Sequence, residues 1–386
     1  MAAQTDIETG LPAWAYTDPD FFALERAKLF ASSWQIVCHE SDIAKRGAYA
    51  TLNFLGALAF VIRGDDGVIR AFQNVCRHRA ARLLDDPFGQ CSSRIVCPYH
   101  AWTYDLGGRL VGVPGQDGYE AFDKKNYGLR PLALGECGGF VFIRFGENGQ
   151  SFDEFVEPLR EEFEIYKTAQ MRALGRITLR EREVNWKIAT ENYVDCLHLP
   201  IAHDGLNGLV GDTYKLNIKG DAYYIDASVE DLPSQELSVR AYRKFLPEVA
   251  HLSPERQRRW VYIKLWPNLA FDIYPDQIDF MQFIPLSPER TLLREISYAL
   301  PDDRREMRAA RYLNWRINRV VNIEDMDIIE RVQAGFGMGD YEPGPISKDE
   351  ICLRDFAERM RRELPVCRER QNPGPDALRK QLDADA

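Results

Sequence analysis

Apolar positions change their period along the chain, and the changes mark out its elements. Behind the capping sequence Asp18-Pro19-Asp20, residues Phe21, Phe22, Leu24, Leu29, Phe30 and Trp34 recur at three- to four-residue spacing and predict a helix over 18–34. From about 47 to 145 the texture shortens. Strand-like runs at 57–63, 68–74, 94–96 and 139–145 alternate with turns such as Gly64-Asp65-Asp66-Gly67 and Gly107-Gly108, which predicts a small all-β domain with its exit at 146–150. Helical spacing returns at 152–169 and 185–199. It is followed by strands at 223–229, 260–266, 270–274, 278–284 and 291–300, joined by short polar turns, as in an antiparallel sheet. Two further helices are predicted over 302–334 and 347–364, and the polar tail from Asn372-Pro373-Gly374-Pro375 onward is expected to be loose. The fold class is therefore α+β: an N-terminal helical segment (1–40), an all-β domain (41–150) and a second domain (151–386) whose antiparallel sheet is covered by helices.

Composition adds exclusions. At 386 residues and 45% apolar the chain can bury a sizeable core, and its net charge of −10 argues against a general nucleic-acid binder. The N-terminus shows neither a basic region nor an apolar core of a signal peptide, and no apolar run reaches about 18 residues, so the expected location is the cytoplasm. Eight cysteines in such a compartment read as thiols or metal ligands rather than a disulfide framework. Of only six histidines, four fall in two tight clusters.

The first cluster is Cys76-Arg77-His78 followed, after a gap of 18 residues, by Cys97-Pro98-Tyr99-His100. Each half offers one thiolate and one imidazole, so two such loops can clamp a [2Fe–2S] cluster with two Cys on one iron and two His on the other. A Cys₂His₂ zinc site is the competing chemistry, although zinc fingers pair Cys with Cys and His with His. The segments Cys76-Arg77-His78-Arg79-Ala80-Ala81-Arg82-Leu83 and Cys97-Pro98-Tyr99-His100-Ala101-Trp102-Thr103-Tyr104-Asp105 resemble the Rieske domain of aromatic-ring-hydroxylating and related oxygenases. Ala80 departs from the family pattern, where Gly is more common, and is not a ligand. The extra disulfide-forming cysteines of cytochrome-complex Rieske proteins are missing, so the resemblance implies a low-potential cluster with Cys91 outside the ligand set.

The second cluster is Asn192, Asp195, His198 and His203. On a continuous helix the first three share a face, with Pro200 ending the helix and His203 swinging back from the following loop. Two imidazoles and a carboxylate on one side of a metal make the facial triad of non-haem Fe(II) oxygenases, and two polar histidines at a helix end are the structural alternative. Asp-x-x-His with a second His five residues on is similar to the catalytic motif of the same oxygenase family.

The resemblance spans about 15 to 360 and implies a catalytic domain of helix-grip, START-like type. It places the third iron ligand on a late helix carrying Glu-Asp and then Val-Gln, which matches Glu324-Asp325 and Val332-Gln333. Asp325 is the expected ligand and Asp327 the fallback; a solvated acidic helix face is the alternative for both. It also implies that Asp195 bridges a cluster histidine of a neighbouring subunit, taken as His100, and an iron-ligating histidine of its own, taken as His198. Asn192 either positions the iron site or is a buried hydrogen-bonding residue.

The implied cofactors are a Rieske [2Fe–2S] cluster and a mononuclear Fe(II). The implied partners are a separate NAD(P)H-dependent flavin/iron–sulfur reductase, with or without a ferredoxin, and further copies of the chain in a trimer or a multiple of one. No FAD- or NAD-binding fingerprint appears in the chain itself. The stretch from Glu324-Asp325 through Tyr341-Glu342-Pro343-Gly344 and Ser347 is similar to choline-monooxygenase-like and betaine-demethylating members. This leans the substrate toward a quaternary or N-methyl amine, with an aromatic acid or ring as the alternative. Trp260, Tyr262, Trp266, Phe271 and Tyr274 could box a cation or simply fill the sheet core. A Rieske electron carrier would need neither His198 nor His203, and a zinc-stabilised binding protein would be colourless.

Overall fold

The computed structural model describes residues 9–338 and 341–383, which divide into two compact units. The first of these along the chain comprises 32–156 and 167–173. Ten of its short strands are β1 (Gln35–His39), β2 (Ala48–Phe54), β3 (Ala57–Arg63), β4 (Ile69–Gln73), β5 (Phe88–Gln90), β6 (Arg94–Val96), β7 (Thr103–Asp105), β8 (Leu110–Gly112), β9 (Ala133–Cys137) and β10 (Phe140–Arg144). They pair antiparallel in three small sheets, ordered β4-β3-β2-β5, β6-β7-β8 and β1-β10-β9. Phe60, Phe72, Ile95, Trp102, Tyr104 and Leu106 fill one core, with Cys76 and Cys97 among them.

The other unit takes 157–166 and everything described from 174 onward, together with the N-terminal stretch up to Ala31. Helix α1 (Pro19–Glu25) starts where the capping sequence predicts, with Asp18 Oδ1 accepting from the Phe21 N–H at 2.8 Å. It gives way at Arg26–Phe30 to a π-helical turn rather than continuing to 34. Then come β11 (Thr178–Arg182), α2 (Trp186–Val194), α3 (Leu199–Ala202), α4 (Asp204–Val210), β12 (Lys215–Lys219), β13 (Ala222–Ser228) and α5 (Leu237–Phe245). The chain continues through β14 (Arg259–Leu265), β15 (Leu269–Ile273), β16 (Ile278–Ser287), β17 (Arg290–Ala299), α6 (Arg305–Phe336) and α7 (Ile351–Glu363). The strands form one antiparallel sheet in the order β11-β17-β16-β15-β14-β13-β12. The tail expected to be loose instead closes as a helix, α8 (Pro375–Asp383), because Leu378 is buried in contact with the rest of the unit. Among the described residues no helix is long and apolar enough to cross a membrane.

Two helices of this unit matter most for the site. Buried positions of α6 (Met307, Ala310, Asn314, Ile317, Ile329, Gln333) recur on one stripe at mostly helical spacing. At its far end Gln333 Oε1 accepts the Asn185 N–H at 2.7 Å, tying α6 to the N-cap of α2. Helix α2 is further held by Lys187, fully buried, whose ammonium pairs with the equally buried Glu25 carboxylate at 2.7 Å. Burial without that partner would be costly for either charge, so the pair fixes where α2 lies.

Candidate active site

The two Cys–His loops are built alike. Cys76 N–H donates to Ala81 O (2.8 Å) and Ala80 N–H to Cys76 O (3.1 Å); Cys97 N–H donates to Trp102 O (2.8 Å) and Ala101 N–H to Cys97 O (3.0 Å). Each loop turns through an exposed alanine with positive φ, +57° at Ala80 and +54° at Ala101. A left-handed alanine costs about 1–2 kcal/mol, partly offset by what glycine loses in the unfolded chain. Ala80→Gly and Ala101→Gly are therefore each expected to stabilise the protein by about 0.5–1 kcal/mol, read as a raised denaturation midpoint. An unchanged or lowered midpoint would show that the turns carry no such strain.

The thiols of Cys76 and Cys97 are buried. Burial pushes the Cys76 thiol up, the Tyr104 hydroxyl 3.3 Å from its Sγ pulls it back, and the adjacent Cys97 adds to the rise. His78 and His100 stand together, ring centroids 4.7 Å apart, and the Nδ1 of each is buried with no hydrogen-bond partner. Orphaned buried nitrogens need an explanation, and a ligand atom bound there supplies it. Among the described residues, the only set of three or more His, Cys, Asp or Glu whose donor atoms converge within 4.8 Å lies elsewhere. The four loop residues thus do not close on a single ion, as a zinc site would require; a thiol pair facing a histidine pair fits a two-iron cluster.

The converging set is His198, His203 and Asp325. Its residues come from three places. Helix α2 stops at Val194, not near 199, because Asp195 turns extended (φ −80°, ψ 131°) and its Oδ1 accepts the Leu197 N–H at 2.8 Å. Asn192, Asp195 and His198 therefore do not share one helix face. Pro200 does not end that helix; it opens α3, where a missing N–H costs nothing. His203 sits at the junction of α3 and α4, wholly buried, and Asp325 comes from the middle of α6.

Both imidazoles are arranged in the same sense. His198 Nδ1 lies 2.9 Å from Asp195 Oδ2 and its Nε2 lies 3.5 Å from Asp325 Oδ1. His203 Nδ1 lies 2.8 Å from Glu324 Oε2 and its Nε2 lies 3.0 Å from Asp325 Oδ1. A neutral imidazole has one N–H to give, so neither ring can serve two carboxylates unless it carries a proton or its second nitrogen faces a cation. Burial would lower both histidines, but the carboxylate hydrogen bonds outweigh it: His198 is pushed up to about 9 and His203 is raised. Burial would likewise raise Asp325, yet bonds to His198 and His203 hold it well below the usual carboxylate range. Such a site is organised around positive charge. The Nδ1 nitrogens face outer carboxylates and the Nε2 nitrogens face a common point beside Asp325, as ligating histidines do. Asn192 Nδ2 donates to Asp325 Oδ1 at 2.8 Å and orients it. Asp327 points away, exposed and paired with Arg331 at 2.7 Å.

Asn192, Asp195, His198, His203 and Asp325 all border a cavity of about 690 Å³ under the sheet face. Of the five aromatics singled out in the sequence only Tyr262 lines it; Trp260 and Tyr274 are core, and Phe271 is fully buried. Sequence reasoning did not assign Glu324 its bond to His203, nor see Tyr193, Asp272 and Asp279 in the cavity wall. The signal for the aspartates was present: Asp272 is the one polar residue in its strand and Asp279 the one charge in its own.

These centres define a class. The Rieske [2Fe-2S] domain family matches residues 33–123, and the family "Ring hydroxylating alpha subunit (catalytic domain)" matches 168–365. The chain belongs to that family: it is the oxygenase component of a Rieske non-haem iron oxygenase, an oxidoreductase with a [2Fe–2S] domain and a catalytic domain that binds mononuclear iron. More particularly, it is similar to the carnitine monooxygenase oxygenase subunit of Acinetobacter pittii, 31% identical over 352 residues (88% of this chain, 89% of that one). It is also similar to the glycine betaine monooxygenase oxygenase subunit of Chromohalobacter salexigens, 37% identical over 211 residues, 54% of this chain and 47% of that one. Among solved structures, a quaternary ammonium Rieske monooxygenase superposes with TM-score 0.79 at 26% identity, covering 94% of this chain and 97% of that one. A naphthalene 1,2-dioxygenase from Rhodococcus sp., at 21% identity and TM-score 0.76 over 92% of this chain and 94% of that one, shares the fold. Oxygenase components of this kind draw electrons from NAD(P)H through a separate reductase and assemble as multimers.

Proposed function

We propose that this oxygenase acts on a small quaternary ammonium or N-methyl amine, hydroxylating it or removing a methyl group. The convergence of His198, His203 and Asp325 at the wall of the 690 Å³ cavity carries the reading, because it puts a three-donor site open to a pocket of small-molecule size. The carnitine and glycine betaine relatives supply the substrate class. In this reading His198 Nε2, His203 Nε2 and Asp325 hold the iron, and Cys76, His78, Cys97 and His100 hold the cluster. When bound, the iron supplies O₂ activation with electrons delivered from the cluster.

The chain's own residues set the rest. Asp195 and Glu324 accept the Nδ1–H of His198 and His203 and so fix each tautomer, while Asn192 fixes Asp325. Asp195 is also the proposed bridge to His100 of a neighbouring copy in a trimer; it is one-fifth exposed, which supports room for a second donor. The finer partner proposal is a flavin/iron–sulfur reductase, with or without a ferredoxin, in the cytoplasm.

The test is a screen of reduced holoenzyme with glycine betaine, L-carnitine, choline and a set of aromatic acids, scoring O₂ uptake and formaldehyde. Uptake coupled to an amine, with formaldehyde where a methyl is lost, is expected. A diol or phenol from an aromatic acid, with the amines inert, would replace this reading with ring hydroxylation.

A further inference from the structure

One row of side chains crosses the sheet face that lines the cavity. Ile225 on β13 stands opposite Tyr262 on β14, Tyr262 opposite Asp272 on β15, Asp272 opposite Asp279 on β16, and Asp279 opposite Ser297 on β17. All five border the cavity. Two aspartates directly opposite each other on neighbouring strands repel, and that arrangement is ordinarily destabilising. Asp272 is also taken from water, at 7% exposed, and Asp279 is half-buried.

Among the described residues, no cationic side chain pairs with either carboxylate. Asp272 Oδ1 accepts the Tyr193 hydroxyl at 2.5 Å and its Oδ2 the Tyr274 hydroxyl at 3.2 Å. Asp279 accepts the Gln277 amide at 3.0 Å. Glu295, the third acid on this face, is different, because Arg180 pairs with it. Burial pushes Asp272 up to about 7, against the pull of the two tyrosine hydroxyls, and pushes Asp279 well above the usual carboxylate range, with the Asp272 charge adding to it. A fold retains such a pair when something outside the chain compensates it.

A second observation points the same way. The hydroxyls of Tyr262 and Tyr214 are buried without hydrogen-bond partners, and both residues border the same cavity. The Tyr193 and Tyr262 rings lie 6.5 Å apart at 81°, so the wall offers aromatic surface in two orientations beside the acid pair. Tyr193 adjoins Asn192, which holds Asp325, so the wall is registered to the metal donors through one turn of α2.

We propose that Asp272 and Asp279, with Tyr193 and Tyr262, form the seat for the substrate's quaternary ammonium group. This rests on the substrate class proposed above and adds the residues that would select it. A quaternary ammonium has no N–H to donate and needs only negative charge and aromatic faces, which is what this wall presents. A metal ion would want nitrogen or further oxygen donors, and among the described residues the convergent metal-type set is the His198 site instead.

The test compares choline with 3,3-dimethylbutan-1-ol, which replaces the charged nitrogen by carbon at the same shape, in calorimetric binding to the holoenzyme. The unaltered protein is expected to favour choline by roughly tenfold or more. Asp272→Asn and Asp279→Asn should each lower that ratio by roughly tenfold while leaving the affinity for the neutral compound within about twofold. With glycine betaine as substrate, KM should rise more than kcat falls. Removing one of two like charges that face each other relieves their repulsion, so neither Asn variant threatens the fold. If both Asn variants keep the choline preference, the seat lies elsewhere. If the unaltered protein shows no preference yet turns over glycine betaine, the seat fails while the function stands. If it neither prefers choline nor oxidises any amine, the function has failed as well.

Discussion

A His198→Ala protein is expected to keep the visible absorbance of its cluster and to lose turnover by more than about 100-fold. The truncation leaves two of the three convergent donors and strips Asp195 of the imidazole it holds at 2.9 Å. Losing an outer hydrogen bond to a ligating histidine alone typically costs about 10–100-fold, so losing the donor itself should cost more. His198 is the better target than His203, which is fully buried between Glu324 and Asp325 and whose removal would strand two carboxylates. The cluster should survive because Cys76, His78, Cys97 and His100 sit in the other compact unit, on a core of their own. Iron analysis should fall toward the two irons of the cluster. Turnover near that of the unaltered enzyme would mean that the catalytic metal is bound somewhere else.

Asp195→Ala should behave differently: both metals stay, and product formation per reduced cluster falls by at least about 100-fold. Asp195 is not among the three convergent donors; it holds the far nitrogen of one of them. Asp195→Asn offers His198 a neutral acceptor of the same shape, so it should restore the ring's orientation without the charge. If the proposed electron bridge depends on orientation, Asn recovers much of the single-turnover yield; if it depends on charge, Asn stays near Ala. Normal single-turnover yield in the Ala variant would remove the bridge altogether.

Much of the order of elements was written in the chain because its apolar periods are clean, although the helices at 204–210 and 237–245 and the strand at 215–219 were not read. The strands over 57–63 and 94–96 coincide with β3 and β6, and α6 begins and ends within three residues of its predicted limits. What failed was local. The stretch after Val194 reads as helical in apolar period, but Asp195 spends its carboxylate on the Leu197 N–H, a competition that a period count does not register. The tail from Pro375 is polar enough to look loose, and the buried Leu378, with Arg379 beside Asp20 and Asn372 donating to Asp18, holds it.

Placement of the site was legible in part. The Cys–His spacing and the Glu324-Asp325 pair were visible as motifs, while the role of Gln333 was not. Its bond to the Asn185 N–H joins residues 148 positions apart, and only the folded chain brings them together. The cavity wall was least legible. Asp272 and Asp279 are seven residues apart on different strands, and their opposition depends on the register of β15 against β16.

The metal site and, Tyr193 on α2 apart, the acid-bearing wall descend from different scaffolding. Asn192, His198, His203 and Asp325 ride on helices and their junctions, while Tyr262, Asp272, Asp279 and Ser297 ride on strands. Reactivity and selectivity are thereby separable in inheritance. A lineage, or an engineer, can exchange side chains at inward positions of the strands and so move from one cation to another, or to an uncharged molecule, with the oxidising apparatus left as it was.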